Sequence, residues 1–123
     1  MNVQRYLDEI KARLIASPVV LSFSIMEEKN LEDRGFFRAR LNLINGDFLE
    51  IAEYFILCDT QLTTERYRYQ WMDASKTILR RRWDNVPHFP KLTNFPHHVH
   101  IASEDNVEPS VSLNILQLLD LLE

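Results

Sequence analysis

The dipeptide Asn45-Gly46 lies between two runs of alternating residues, and it constrains the fold more than any other feature of the chain. Before it, Phe37, Ala39, Leu41 and Leu43 alternate with Phe36, Arg38, Arg40 and Asn42. After it, Leu49, Ile51, Phe55 and Leu57 share one side of a returning run. Period-two alternation around an Asn-Gly pair, which tolerates the positive backbone dihedrals of a tight turn, predicts a β-hairpin with one buried face. Glu53 falls in the buried row and interrupts it. A carboxylate there is either a general base or the partner of a cross-strand arginine, the second being the commoner use.

The rest of the chain reads outward from this hairpin. Asn2 is a natural N-cap for a short helix carrying Val3, Leu7, Ile10 and Leu14 on one stripe, which Ser17-Pro18 ends. Val19 to Met26 reads as a strand with Val19, Leu21, Phe23 and Ile25 on one face, followed by a charged loop through Gly35. A polar turn at Asp59 to Thr64 precedes a strand in which Arg66, Arg68 and Gln70 face away from Tyr67, Tyr69 and Trp71. A second turn, Asp73 to Lys76, leads to Thr77–Trp83, whose two faces both carry arginines, so this strand is expected near an edge. Pro87, Pro90 and Pro96 cannot donate to a ladder, which makes residues 84–97 a loop. After Pro109-Ser110, Leu113, Leu116, Leu119 and Leu122 mark a strongly apolar helix that packs on the sheet or on another chain. The expectation is an α+β domain over residues 1–123: an N-terminal helix, an antiparallel sheet of about five or six strands and a C-terminal helix.

Composition removes several functions. With only Gly35 and Gly46, neither a dinucleotide fingerprint nor a phosphate-binding P-loop can be written. Cys58 is the single cysteine, which excludes an internal disulfide and a cysteine-rich zinc site. Arg5, Asp8 and Glu9 interrupt the place where a secretory signal needs an apolar run, and no apolar stretch reaches membrane-spanning length. The expected setting is therefore cytoplasmic, with no membrane partner. The net charge of −4 hides a segregation: residues 62–100 carry seven lysines and arginines against three acids, whereas residues 101–123 carry five acids and no basic residue. His88, His97, His98 and His100 all lie in that basic segment, which directs attention there for nucleic-acid chemistry.

Histidine changes charge near neutrality, its unperturbed pKa being about 6.5, so clustered imidazoles can divide general-base and general-acid work. On an extended segment His98 and His100 project to one side and His97 to the other. Three readings of this pair stand together. In the first, a metal-independent ribonuclease without cofactors, His98 and His100 serve as acid and base, His97 or His88 assists, and Arg82 or Arg80 offsets phosphate charge. In the second, His98 and His100 with His88 or Asp84 bind a divalent metal for hydrolysis. In the third, the histidines pack the proline loop against Trp83 and Phe95 and react with nothing. Asp84 either fixes an imidazole tautomer or caps a turn with Asn85. Arg66, Arg68, Tyr69 and Trp71 mix phosphate partners with stacking surfaces, as on a single-stranded RNA platform, although aromatics alternating in a strand are more often core. A further alternative is a non-enzymatic interaction module, or a homodimer, held through the leucine helix at residues 113–122.

The string Arg82-Trp83-Asp84-Asn85-Val86-Pro87-His88, followed by Phe95-Pro96-His97-His98-Val99-His100 and preceded by Tyr69-Gln70-Trp71-Met72-Asp73, resembles the TumE family of small bacterial toxins. Arg82, Asp84, Asn85, Pro87, His88, Phe95, Pro96, His97, His98 and His100 match its pattern. Phe89 stands where the pattern has a second histidine, and Val99 where a basic residue is common. The resemblance implies the toxin of a type II toxin–antitoxin pair, with a cognate antitoxin that carries a helix-turn-helix element.

Overall fold

The Asn2 side chain accepts the backbone N–H of Arg5 and starts α1 (Val3–Ala16), whose Val3, Tyr6, Leu7, Ile10 and Leu14 are buried. The fold, seen in a computed structural model that describes residues 2–123, continues with seven strands and a final helix. The strands are β1 (Val20–Asn30), β2 (Arg34–Leu43), β3 (Phe48–Cys58), β4 (Gln61–Met72), β5 (Leu79–Asp84), β6 (His98–Ile101) and β7 (Val107–Pro109), and the helix is α2 (Ile115–Leu122). They form one antiparallel sheet in sequence order. The class is α+β as expected, with one or two strands more than the sequence pattern indicates, because the histidine segment and the short stretch after it pair as β6 and β7.

Register decides what faces what. Ala39, Ile51, Tyr69, Trp83 and Val99 lie in one row across β2 to β6, and all are buried against the two helices. The neighbouring row, Arg38, Ala52, Arg68, Asp84 and His98, projects from the opposite face. α1 and α2 lie against each other on the inner face, and Arg13 Nη2 meets the Asp120 carboxylate at 2.6 Å. Ile115, Leu118 and Leu119 are fully buried there, so this face of α2 is taken up by the chain's own core, while Leu121 stays exposed.

Several expectations change. The Asn45-Gly46 connection is a three-residue loop in which Gly46 N–H donates to the Leu43 carbonyl and Leu43 N–H to the Asp47 carbonyl. Only Gly46 adopts a positive φ, 94°, while the Asn45 side chain accepts from Asp47 N–H. β1 carries register shifts after Val20 and Ile25, the first of which takes Leu21 out of the expected apolar row, while Ile25 stays opposite Ala39 but is exposed on this edge strand. The expected charged loop is mostly strand, since β1 runs on to Asn30 and β2 starts at Arg34. β5 is not near an edge: β4 and β6 pair with it on either side, Arg82 points out of the uncovered face, and Arg81 lies on the helix face beside Trp71 and Leu121.

Glu53 is neither a base at an open site nor an arginine partner. It is 1% exposed and sits where three elements meet: Tyr6 Oη donates to Oε1 at 2.7 Å, Ile115 N–H to Oε1 at 3.1 Å, and Thr64 Oγ1 to Oε2 at 2.8 Å. Burial raises its carboxyl pKa, and the three donors counter only part of that rise.

Candidate functional site

β5 and β6 bring the chemistry of the basic segment together. Asp84 lies opposite His98 and Arg82 opposite His100 in the ladder, so four functional side chains leave the sheet on the face that carries no helix. His98 Nε2 is 2.9 Å from Asp84 Oδ1, and His100 Nε2 is 3.8 Å from Asp84 Oδ2. The other ring nitrogens are also held. His98 Nδ1 is 2.9 Å from the Pro96 carbonyl and His100 Nδ1 is 2.9 Å from the Glu104 carbonyl. A carbonyl oxygen only accepts, so both Nδ1 atoms carry hydrogen and both Nε2 atoms face the carboxylate. Asp84 Oδ1 also accepts Val86 N–H at 3.1 Å, and Oδ2 accepts Arg82 Nε at 3.3 Å.

A hollow of about 320 Å³ opens above this floor, lined by Arg68, Arg82, Asp84, His88, Phe89 and Glu104 together with the two histidines and Val86. That volume is at the lower end of the range of about 300–1,000 Å³ usual for small-ligand sites. The Phe89 ring lies edge-on to His98 and His100, with centroids 5.2 and 6.0 Å away, and covers one side of them. Its φ of 58° turns the proline loop back over the sheet. Glu104, in the turn between β6 and β7, grips Arg82 with both oxygens, one contact being 2.6 Å, and that guanidinium holds its carboxyl below the usual range. A phosphate entering the hollow must compete with Glu104 for Arg82. Glu104→Gln is therefore expected to tighten inorganic phosphate binding by roughly 2- to 5-fold, the worth of an exposed ion pair, when titrated calorimetrically against wild type. An unchanged affinity would mean that anions do not reach Arg82.

The other sequence candidates divide. Asp84, His98, His100, Arg82, Arg68 and His88 share the hollow. His97 turns to the helix face, where its ring stacks on Tyr67 with Nδ1 2.9 Å from the phenol, and burial followed by the neighbouring His98 lowers its pKa. It does not assist at the hollow. Tyr69 is fully buried with its hydroxyl donating to the Leu113 carbonyl, and Trp71 donates Nε1–H to Asp47 on the helix side, so neither ring is free to stack a base. Arg80 Nε pairs with Asp47 at 2.9 Å, at the strand end away from the histidines. Arg66 remains on the open face beside Tyr54, its guanidinium 5.3 Å from the ring centroid. Asp84 caps the turn through Asn85 by accepting Val86 N–H, while the Asn85 side chain accepts Tyr67 N–H and donates to the Glu65 carbonyl, stitching β4 to the loop. Sequence reasoning missed Arg38, Arg40 and Glu104. The first two stand on the same open face, aligned with Arg68 and Arg82 through the β2–β5 register, and share Glu50.

The family described as Toxin TumE matches residues 10–123, which includes every side chain of the hollow. The chain belongs to the TumE toxin family. It is accordingly the toxin component of a toxin–antitoxin system, with a cognate antitoxin as partner. No curated protein and no solved structure matches it. No helix among the described residues of this TumE-family toxin is long and apolar enough to cross a membrane.

Proposed function

We propose that this TumE-family toxin cleaves RNA at the hollow beneath Phe89, with Asp84, His98 and His100 as the reacting centre and Arg68 and Arg82 on the phosphate. The observation that carries this reading is the convergence of both Nε2 atoms on one buried carboxylate beside two arginines. Support also comes from the open face of the sheet, where Arg38, Arg40, Arg66 and Arg68 form a basic approach to Asp84 of the kind that tracks a sugar-phosphate backbone.

The geometry favours one centre over two separated proton carriers. In an in-line displacement at phosphorus, the attacking and leaving oxygens stand on opposite sides, and so must the base and the acid that serve them. His98 and His100 instead lie side by side on β6, their ring centroids 5.0 Å apart, and both aim at Asp84. They act on one side of the phosphate. His88, on the loop across the hollow, is the imidazole free to serve the other.

The test is purified full-length toxin incubated with cellular RNA, wild type beside His98→Ala and His100→Ala, with and without excess chelator. Without chelator, wild type is expected to degrade RNA and each variant to lose about 10²-fold or more of that rate, within the usual range for one acid–base group, and the chelator arm reports whether a metal takes part. Equal degradation by all three proteins would defeat the assignment.

A further inference from the structure

The geometry points to a divalent transition-metal site made by Asp84, His98 and His100. One donor atom from each lies within 4.8 Å of the others, and all three residues are buried. Both imidazoles direct a lone pair at Nε2 toward a carboxylate that is itself only an acceptor, because both Nδ1 hydrogens go to backbone carbonyls. A proton on His98 Nε2 satisfies the 2.9 Å contact, but His100 at 3.8 Å is left without one. A single cation between them satisfies all three.

Distances and the surrounding contacts agree with this. Metal–nitrogen and metal–oxygen bonds of about 2.0–2.2 Å in tetrahedral geometry put ligand atoms roughly 3.3–3.6 Å apart. His98 Nε2 at 2.9 Å from Oδ1 must move back by a few tenths of an ångström, and His100 Nε2, 3.8 Å from Oδ2, must close on the same ion, within a set whose three donor atoms already lie within 4.8 Å of one another. The backbone carbonyls of Pro96 and Glu104 on Nδ1, with Val86 N–H and Arg82 on the carboxylate, supply the outer contacts that orient metal ligands. Two imidazoles and one carboxylate suit zinc, iron or manganese better than calcium or magnesium, which prefer all-oxygen shells. Three protein ligands leave a coordination position open toward the hollow, the mark of a catalytic rather than a structural ion. The inference rests on the nuclease reading for what the ion does to a phosphate, and on these side chains alone for its retention.

Full-length protein stripped with chelator and desalted should take up one zinc per chain by elemental analysis, and cobalt in its place should give a visible d–d spectrum. Asp84→Asn and His100→Gln should each weaken zinc by more than the roughly 10- to 100-fold typical of losing an outer contact. His97→Ala, which alters a histidine outside the hollow, should keep wild-type stoichiometry. Circular dichroism establishes that each variant is folded. Failure of wild type to retain zinc, or equal affinity in wild type and Asp84→Asn, overturns the site. RNA cleavage that persists in chelator while zinc uptake is intact overturns the ion's role in the reaction and leaves the nuclease reading standing. Stoichiometric zinc without any RNA cleavage does the reverse.

Discussion

Glu53→Ala should destabilise the protein by about 3–5 kcal/mol, lowering the melting temperature by roughly 10 °C or more. The substitution removes the acceptor for Tyr6 Oη, Thr64 Oγ1 and Ile115 N–H at once, in the part of the core where α1, β4 and the first turn of α2 meet. Each stranded donor costs on the order of 1–3 kcal/mol, and that sum is a large part of the 5–15 kcal/mol that typically holds a domain together. Glu53→Gln separates hydrogen bonding from charge. Its amide oxygen accepts from Tyr6 and Ile115 and its NH₂ donates to Thr64, so it should stay within about 1 kcal/mol of wild type.

The pH dependence follows from the sign of the shift. The folded pKa of Glu53 lies above the ordinary value of 4.5. The folded state therefore keeps the proton while the unfolded chain releases it, and stability declines as pH rises from 4.5 toward the raised value. Wild type should thus lose stability relative to Glu53→Gln across that window, read as a diverging pair of melting temperatures. Parallel curves would mean that the folded carboxyl titrates as an ordinary one.

The same position marks how far the sequence could be read. Glu53 was visible as a break in an apolar row, but its partners come from α1, β4 and α2, and no local pattern joins those segments. The hairpin, both helices and the pairing of His98 with His100 follow from period and spacing, which are local properties. What escaped is set by register and by coverage. The alternation in β4 separates Arg66 and Arg68 from Tyr67, Tyr69 and Trp71, yet only the helix packing tells which row is inside. The aromatic row lies beside Phe37, Leu49 and Ile51, so it joins the core, and the arginine row is left open. Arg38 and Arg40 reach the site's face through four strands of register, which no single segment announces. The β1 bulges likewise leave Leu21 and Met26 unpaired and exposed without a glycine or proline to signal them.

Asp84→Asn should reduce RNA cleavage by at least about 10²-fold while leaving the fold intact. Val86 N–H and His98 Nε2 meet the same atom, Oδ1, so an amide oxygen there keeps Val86 N–H and turns the NH₂ toward His100 Nε2 and Arg82. The buried cluster thereby loses its negative charge and one contact, that of Arg82 Nε–H, which costs about 1–3 kcal/mol and leaves the domain folded. What is lost is the negative charge on which both imidazoles and Arg82 converge, and with it any capacity to hold a proton or a cation between them. Arg82 retains Glu104, so anion binding should weaken less than turnover does. A fall in kcat larger than the rise in KM, in steady-state assays on a defined oligoribonucleotide, is the expected signature of a group that acts in the transition state. His97→Ala, on the far side of the sheet, should leave both constants near wild type. Wild-type turnover by Asp84→Asn would remove the carboxylate from the reaction and leave His98 and His100 as packing residues beneath Phe89.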